Sequence, residues 1–172
     1  MEKESQQTIE TKEEEKMLIR KVNSGDKEDL RKIADEILQP LYGDQTKALN
    51  EWLTGSGFKH AYVLTENSKI VGLLSLKANP DKPYLKISTL VVVGGFKGKG
   101  YGKTLLGQAE DFARQSNYPK IIVTVSETKS DSLAFFEGAG FNVIDKKVGK
   151  YQKDIAEIIL EKEMSSDERK RV

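Results

Sequence analysis

The chain has no cysteine, which excludes a disulfide framework, a thiolate metal site and a cysteine nucleophile. Its single histidine, His60, leaves little with which to build a histidine-based metal centre. Charge of one sign is also missing. Lys plus Arg (28) nearly cancels Asp plus Glu (27), so no broad basic field marks a nucleic-acid binder. No run approaches the ~20 apolar residues of a membrane span, and Met1-Glu2-Lys3-Glu4-Ser5 lacks the apolar core of a signal peptide. These absences lead us to expect a soluble cytoplasmic protein without a metal.

What is present suits one packed domain: 172 residues, of which 37% are hydrophobic. Residues 1–15 read as a disordered acidic tail, 16–163 as the domain and 164–172 as a charged C-terminal tail. Met17–Val22 is apolar enough for a first strand. Asn23-Ser24-Gly25-Asp26 then offers cap residues to a helix carrying Leu30, Ile33, Ala34, Ile37 and Leu38, with Pro40 as its expected stop. A second helix is expected from Asp44 to about Leu53. The period then changes to that of strands. Ala61–Leu64 and Lys69–Leu76 flank the turn Glu66-Asn67-Ser68 as a hairpin, and Tyr84–Val93 adds a third strand. A helix from Tyr101 to about Arg114, a strand Lys120–Ser126 and a helix from Ser130 to about Glu137 come next. Two closing strands, Phe141–Lys147 and about Gln152–Leu160, complete the order. The expected fold is α+β: a twisted, mostly antiparallel sheet of six to seven strands with about four helices on both faces. The strand–helix–strand unit between Tyr84 and Ser126 should cross over right-handedly and bring its strands parallel.

Leu90-Val91-Val92-Val93 runs into Gly94-Gly95-Phe96-Lys97-Gly98-Lys99-Gly100-Tyr101-Gly102-Lys103-Thr104, and a helix follows at once. Such a junction aims backbone N–H groups, a helix dipole and ammonium groups at one point, where a diphosphate fits. A dinucleotide fingerprint fails on spacing, because Gly98, Gly100 and Gly102 give G-x-G-x-G. A Walker A loop, which would make this a small P-loop nucleotide enzyme, fails because its leading glycine would have to be Lys97. Lys97-Gly98-Lys99-Gly100-Tyr101-Gly102 instead resembles the acyl-CoA pyrophosphate signature of the GCN5-related N-acetyltransferases, the GNAT family. Ser132-Leu133-Ala134-Phe135-Phe136-Glu137-Gly138-Ala139-Gly140-Phe141 resembles that family's second signature, and the likeness in element order covers roughly residues 16–162.

The resemblance implies acetyl-CoA as co-substrate and an amine as acceptor, a small molecule or a peptide, with a homodimer left open. It implies that Leu90, Val91 and Val92 offer backbone groups to the pantetheine arm. Lys97, Gly98, Lys99, Gly100, Tyr101, Gly102, Lys103 and Thr104 would hold the pyrophosphate, while Lys129 and Phe136 would line the CoA side of a slot between the fourth and fifth strands. The departures are as informative. The tyrosine that commonly protonates the leaving thiolate is Phe136, and the family's two usual glutamate positions are Lys86 and Thr124.

Acetyl transfer needs a neutral amine, although alkyl ammonium groups have a pKa near 10, so some group must take a proton. Glu127, at the end of the fifth strand, is the carboxylate expected to do so. Ser126 is a relay candidate. His60, Tyr62, Tyr84, Tyr151 and Trp52 read first as surface or packing residues. With no cysteine to carry an acetyl group, the expected reaction is direct transfer in a ternary complex. The missing tyrosine and glutamates motivate the rival reading, an acyl-CoA-binding module with little or no catalysis.

Overall fold

The computed structural model describes residues 17–94 and 98–165; the expected N-terminal tail, Lys97 and all but the first two residues of the expected C-terminal tail lie outside the described residues. The first strand, β1 (Met17–Lys21), leads into a 3-10 turn, Ser24–Asp26. There the Asn23 side chain accepts from the Gly25 N–H while Asp26 accepts from the Asn23 N–H, a reciprocal capping box. Arg20 reaches back with two nitrogens to both oxygens of Asp26, each at 2.9 Å, and ties the strand to the helix start.

The first helix does not stop at Pro40. It runs as α1 (Lys27–Ile33), a π-helical turn (Ala34–Leu38) and α2 (Gln39–Tyr42). Proline inside an α-helix clashes with the carbonyl four residues back. Here the wider π turn, in which the Gln39 N–H bonds to the Ala34 oxygen, re-aims the carbonyls ahead of Pro40 and lets the rod continue. Gly43, at φ +79°, ends it. A second short helix, α3 (Thr46–Thr54), follows.

The hairpin of β2 (Lys59–Glu66) and β3 (Lys69–Lys77) turns through Asn67 and Ser68, both at positive φ, the handedness that matches strand twist. Next come β4 (Leu85–Val92), α4 (Tyr101–Gln115), β5 (Lys120–Ser126), α5 (Ser130–Gly138), β6 (Asn142–Val148) and β7 (Ala156–Glu163). The last strand starts later than expected because the chain first turns, with the Ile155 N–H bonding back to the Gln152 oxygen at 3.2 Å and Asp154 at φ +66°. Met164, the first residue of the expected C-terminal tail, is buried and its N–H bonds to the Pro119 oxygen.

The sheet order among the described residues is β1-β2-β3-β4-β5-β7-β6, antiparallel except where β4 meets β5. The fold class is therefore α+β, with helices on both faces. Leu105, Leu106, Ala109 and Ala113 of α4 share a core with Phe136 of α5 and with Leu74, Ile87 and Val125 of the sheet. On the opposite face Leu30, Ile33, Leu49 and Trp52 pack against Ala61, Val63 and Leu73. Gly72 permits the first of these contacts: a Cβ there would lie 2.8 Å from the Leu105 Cδ1.

Candidate functional site

β4 pairs with β5 only at Leu85, Ile87 and Lys86, whose partners are Ile121, Val123 and Ile122. On its other edge β4 stays with β3, but Ser88 is skipped: Leu76 pairs with Ile87 and Ser75 with Thr89. That bulge bends β4 where the β5 pairing ends. From Ser88 to Val92 the β5-facing N–H and C=O groups of β4 therefore open into a cleft of about 690 Å³. Its walls include Leu90, Val91, Val92, Thr124, Lys129 and Phe136, and the second layer of helices closes it through Leu38, Tyr42 and Trp52.

At the end of β4 the chain turns into α4. Gly98 and Gly100 both have φ +82°, a conformation that glycine adopts without penalty. Gly100, at the N-cap of α4, has no side chain to cap it with, and Thr104 donates both its N–H and its hydroxyl to the Gly100 oxygen, at 3.2 Å each. The N–H groups of the first turn have no intrahelical partner, and no acid occupies that turn. Lys99 and Lys103 are exposed beside it. The Tyr101 side chain lies in the core, with the hydroxyl donating to Glu66. Lys97 lies outside the described residues.

The expected site residues thus separate into groups. Leu90, Val91, Val92, Lys129 and Phe136 come together in the cleft, where Phe136 packs edge-on against Phe135 and Phe141 at 5.1 and 5.2 Å. Gly98–Gly100 form the glycine turn and Tyr101–Thr104 the first residues of α4; none of them is among the residues that line the cleft. Glu127 is not among the lining residues. Its Oε1 accepts from the Ala156 N–H at 2.8 Å, its own N–H bonds back to the Ala156 oxygen, and Lys146 stands 3.5 Å from Oε2. The Ala156 N–H, helped by Lys146, holds its carboxyl below the ordinary range, which suits a tether and weakens a base. His60 stacks on Phe112 at 4.8 Å and does not line the cleft; burial, with the Lys21 charge, pushes its imidazole down.

The structure adds a residue that sequence reasoning passed over. Glu157 lines the cleft, is only 3% exposed, and its Oε1 has no hydrogen-bond partner. It pairs across the sheet with Ser126. A lone carboxylate between Ala156 and Ile158-Ile159-Leu160 was the available signal, yet its register against β5 is written nowhere in the local sequence. Lys59 and Lys86 also line the cleft, half-buried, with the Lys59 ammonium donating to Ser88 Oγ at 2.8 Å. Burial pushes both amines down; lysine neighbours add to this, and Glu51 opposes it at Lys59. Among the described residues no group of three or more His, Cys, Asp or Glu is placed to hold a metal, and no helix is long and apolar enough to cross a membrane.

Comparison with known proteins gives the same architecture. The PaiA N-acetyltransferase of Thermoplasma acidophilum, solved in complex with coenzyme A, superposes with a TM-score of 0.71 at 22% identity over 86% of this chain and 99% of that one. The ribosomal-protein-S18-alanine N-acetyltransferase of Escherichia coli gives 0.73 at 18% identity, over 87% and 94%. In sequence, mycothiol acetyltransferase of Jonesia denitrificans is 27% identical over 97 residues, 56% of this chain but 31% of that protein. The chain thus spans about a third of the length of the curated relative it matches. The model of the acetyltransferase (GNAT) family matches residues 27–141, well over half of the sequence. With the diverging β4 and β5, the glycine turn and the second signature all in place, the chain belongs to the acetyltransferase (GNAT) family.

Proposed function

We propose that the protein is an N-acetyltransferase that moves the acetyl group of acetyl-CoA directly to an amine in a ternary complex. One observation carries the reading: the bulge at Ser88 and the end of the β5 pairing leave the β4 edge open on the strand that leads into a glycine turn and the N-terminus of α4. A pantetheine arm has amides of its own and can add to that edge as a strand would. Leu90, Val91 and Val92 supply the backbone groups for it. The N–H groups of Gly98 to Thr104, with the Lys97, Lys99 and Lys103 ammonium groups, supply the positive field for the diphosphate. Lys129 and Phe136 close the CoA side of the slot.

The acceptor enters from the side of Tyr42 and Trp52. Its nitrogen forms a bond to the thioester carbon while the C–S bond breaks. An N–H on the open β4 edge steadies the charge growing on the carbonyl oxygen. Phe136 has no proton to give, and CoA leaves as a thiolate, which a thiol pKa near 8.5 makes tolerable. The absent hydroxyl at Phe136 is also what favours the rival reading, a CoA-binding module without turnover.

Titration calorimetry with CoA, acetyl-CoA and Mg-ATP, followed by thiol release from acetyl-CoA across amines, polyamines and peptides, tests both. Binding of the first two ligands and thiol release with at least one acceptor is the expected result. Micromolar acetyl-CoA binding with silence across the panel would favour the binding module, and preference for Mg-ATP would overturn both.

A further inference from the structure

Charge buried without a partner is costly, so a side chain that keeps one in a cleft calls for a reason. Four acidic residues line this cleft: Asp44, Glu51, Asp131 and Glu157. Asp44 is exposed and already accepts from the Thr46 N–H and hydroxyl, and Asp131 is exposed in the first turn of α5. Glu51 is half-buried and leans toward the Gly57 turn. Glu157 alone among the four is buried, and its Oε1 is a buried oxygen with no hydrogen-bond partner.

Its direction follows from strand alternation. Ile158 and Leu160 of β7 pack into the core beneath α4 and α5, so Glu157 projects from the opposite face, the one that carries Tyr42. Ser126 sits opposite it on β5, and Thr124 is its diagonal neighbour on that face. Glu157 therefore stands one strand over from Thr124, beside the divergence of β4 and β5.

We propose that Glu157 is the catalytic base that takes the proton from the acceptor ammonium, an assignment that rests on the acetyl-transfer reading above. The ammonium gives one proton to the Glu157 carboxylate and becomes a nucleophilic amine. Its nitrogen bonds to the acetyl carbon, the C–S bond breaks with its electron pair going to sulfur, and the second nitrogen proton passes to the departing thiolate. The products are the amide and CoA thiol, and Glu157 returns its proton to solvent.

The groups around it tune this role. Burial pushes the Glu157 carboxyl up; the Lys150 charge and a Ser126 hydrogen bond pull it back, and the Glu127 charge raises it again. Lys147 is its register partner on β6. Tyr42 and Tyr151, edge to face at 5.3 Å, cover it from α2 and the β6–β7 connection, and burial together with the Glu157 charge pushes the Tyr42 phenol up. A base raised toward neutrality is better matched to an ammonium than an ordinary carboxylate.

The test compares the full chain with Glu157→Gln and Glu157→Asp, using acetyl-CoA with spermidine, tryptamine, lysine methyl ester and an alanine-initiated peptide. For the wild type we expect kcat/KM to fall on the acidic side as Glu157 protonates. For Glu157→Gln we expect a loss of at least about 100-fold at pH 7, a lost acidic limb, unchanged CoA affinity by calorimetry and an equal or higher Tm. Glu157→Asp should recover part of the rate. An active wild type whose Gln variant stays within about threefold, with the same pH profile, overturns Glu157 while leaving acetyl transfer intact. A Gln variant that merely melts earlier and loses rate equally at every pH makes Glu157 structural and also overturns it. A wild type that binds acetyl-CoA but acetylates none of the four probes overturns the acetyl-transfer reading, and the assignment falls with it.

Discussion

Asp26 and Glu127 are both held low, for different reasons, and each makes its own prediction. Asp26 is buried and takes both nitrogens of Arg20 and the Asn23 N–H; the Arg20 hydrogen bonds come first among the causes that depress it. A depressed carboxyl adds stability above its unfolded pKa near 4, and that stability is lost as pH falls through the lower folded value. Asp26→Asn should therefore cost about 1.5–3 kcal/mol at pH 7, the range for hydrogen bonds to charged groups. The gap from wild type should close toward pH 2, which urea melts across the pH range would record. Glu127 is exposed, anchored to the Ala156 N–H, and its charge bears on Glu157. Removing that charge in Glu127→Gln should let the Glu157 pKa fall. The acidic limb of kcat/KM would then move to lower pH instead of disappearing, and a limb that vanished would return Glu127 to the role of base.

Elements were more legible in the sequence than the contacts between them. β1, the β2–β3 hairpin, α4 and β5 stand where the apolar period and the turn residues put them, because each is decided within a dozen residues. The exceptions need tertiary information. Pro40 reads locally as a stop, and only the π turn upstream of it lets the helix go on. The β7 start follows a turn through Asp154, a non-glycine residue at positive φ that nothing in the local sequence announces. The site divides in the same way: Gly98 and Gly100 announce their conformation by identity, whereas Glu157 becomes meaningful only once β7 is registered against β5. Gly72 is another such residue, a plain strand glycine until α4 is laid over it. Gly72→Ala would place a methyl 2.8 Å from the Leu105 Cδ1 and 3.2 Å from the Val91 oxygen. Leu105 is fully buried, so the clash should cost about 1–3 kcal/mol in urea unfolding.

At the scale of the whole molecule, one sheet presents two differently packed faces to one cleft between β4 and β5. A ligand seated there contacts both halves, so acetyl-CoA at about 100 times its Kd should add about 2.7 kcal/mol of stability. For a chain of this size that corresponds to a rise of roughly 5–10 °C in Tm, read by calorimetry with and without ligand. The open β4 edge has a further consequence, for how the protein can vary over generations. N–H and C=O groups from Ser88 to Val92 are common to every residue but proline, so substitutions along this strand leave its hydrogen-bonding row in place. Inheritance acts differently on the other side of the cleft, which is lined by single side chains such as Tyr42 and Trp52. The edge is buffered against mutation while that wall is free to drift, so under the proposed function one strand can keep hold of acetyl-CoA through changes that give the wall new substrates.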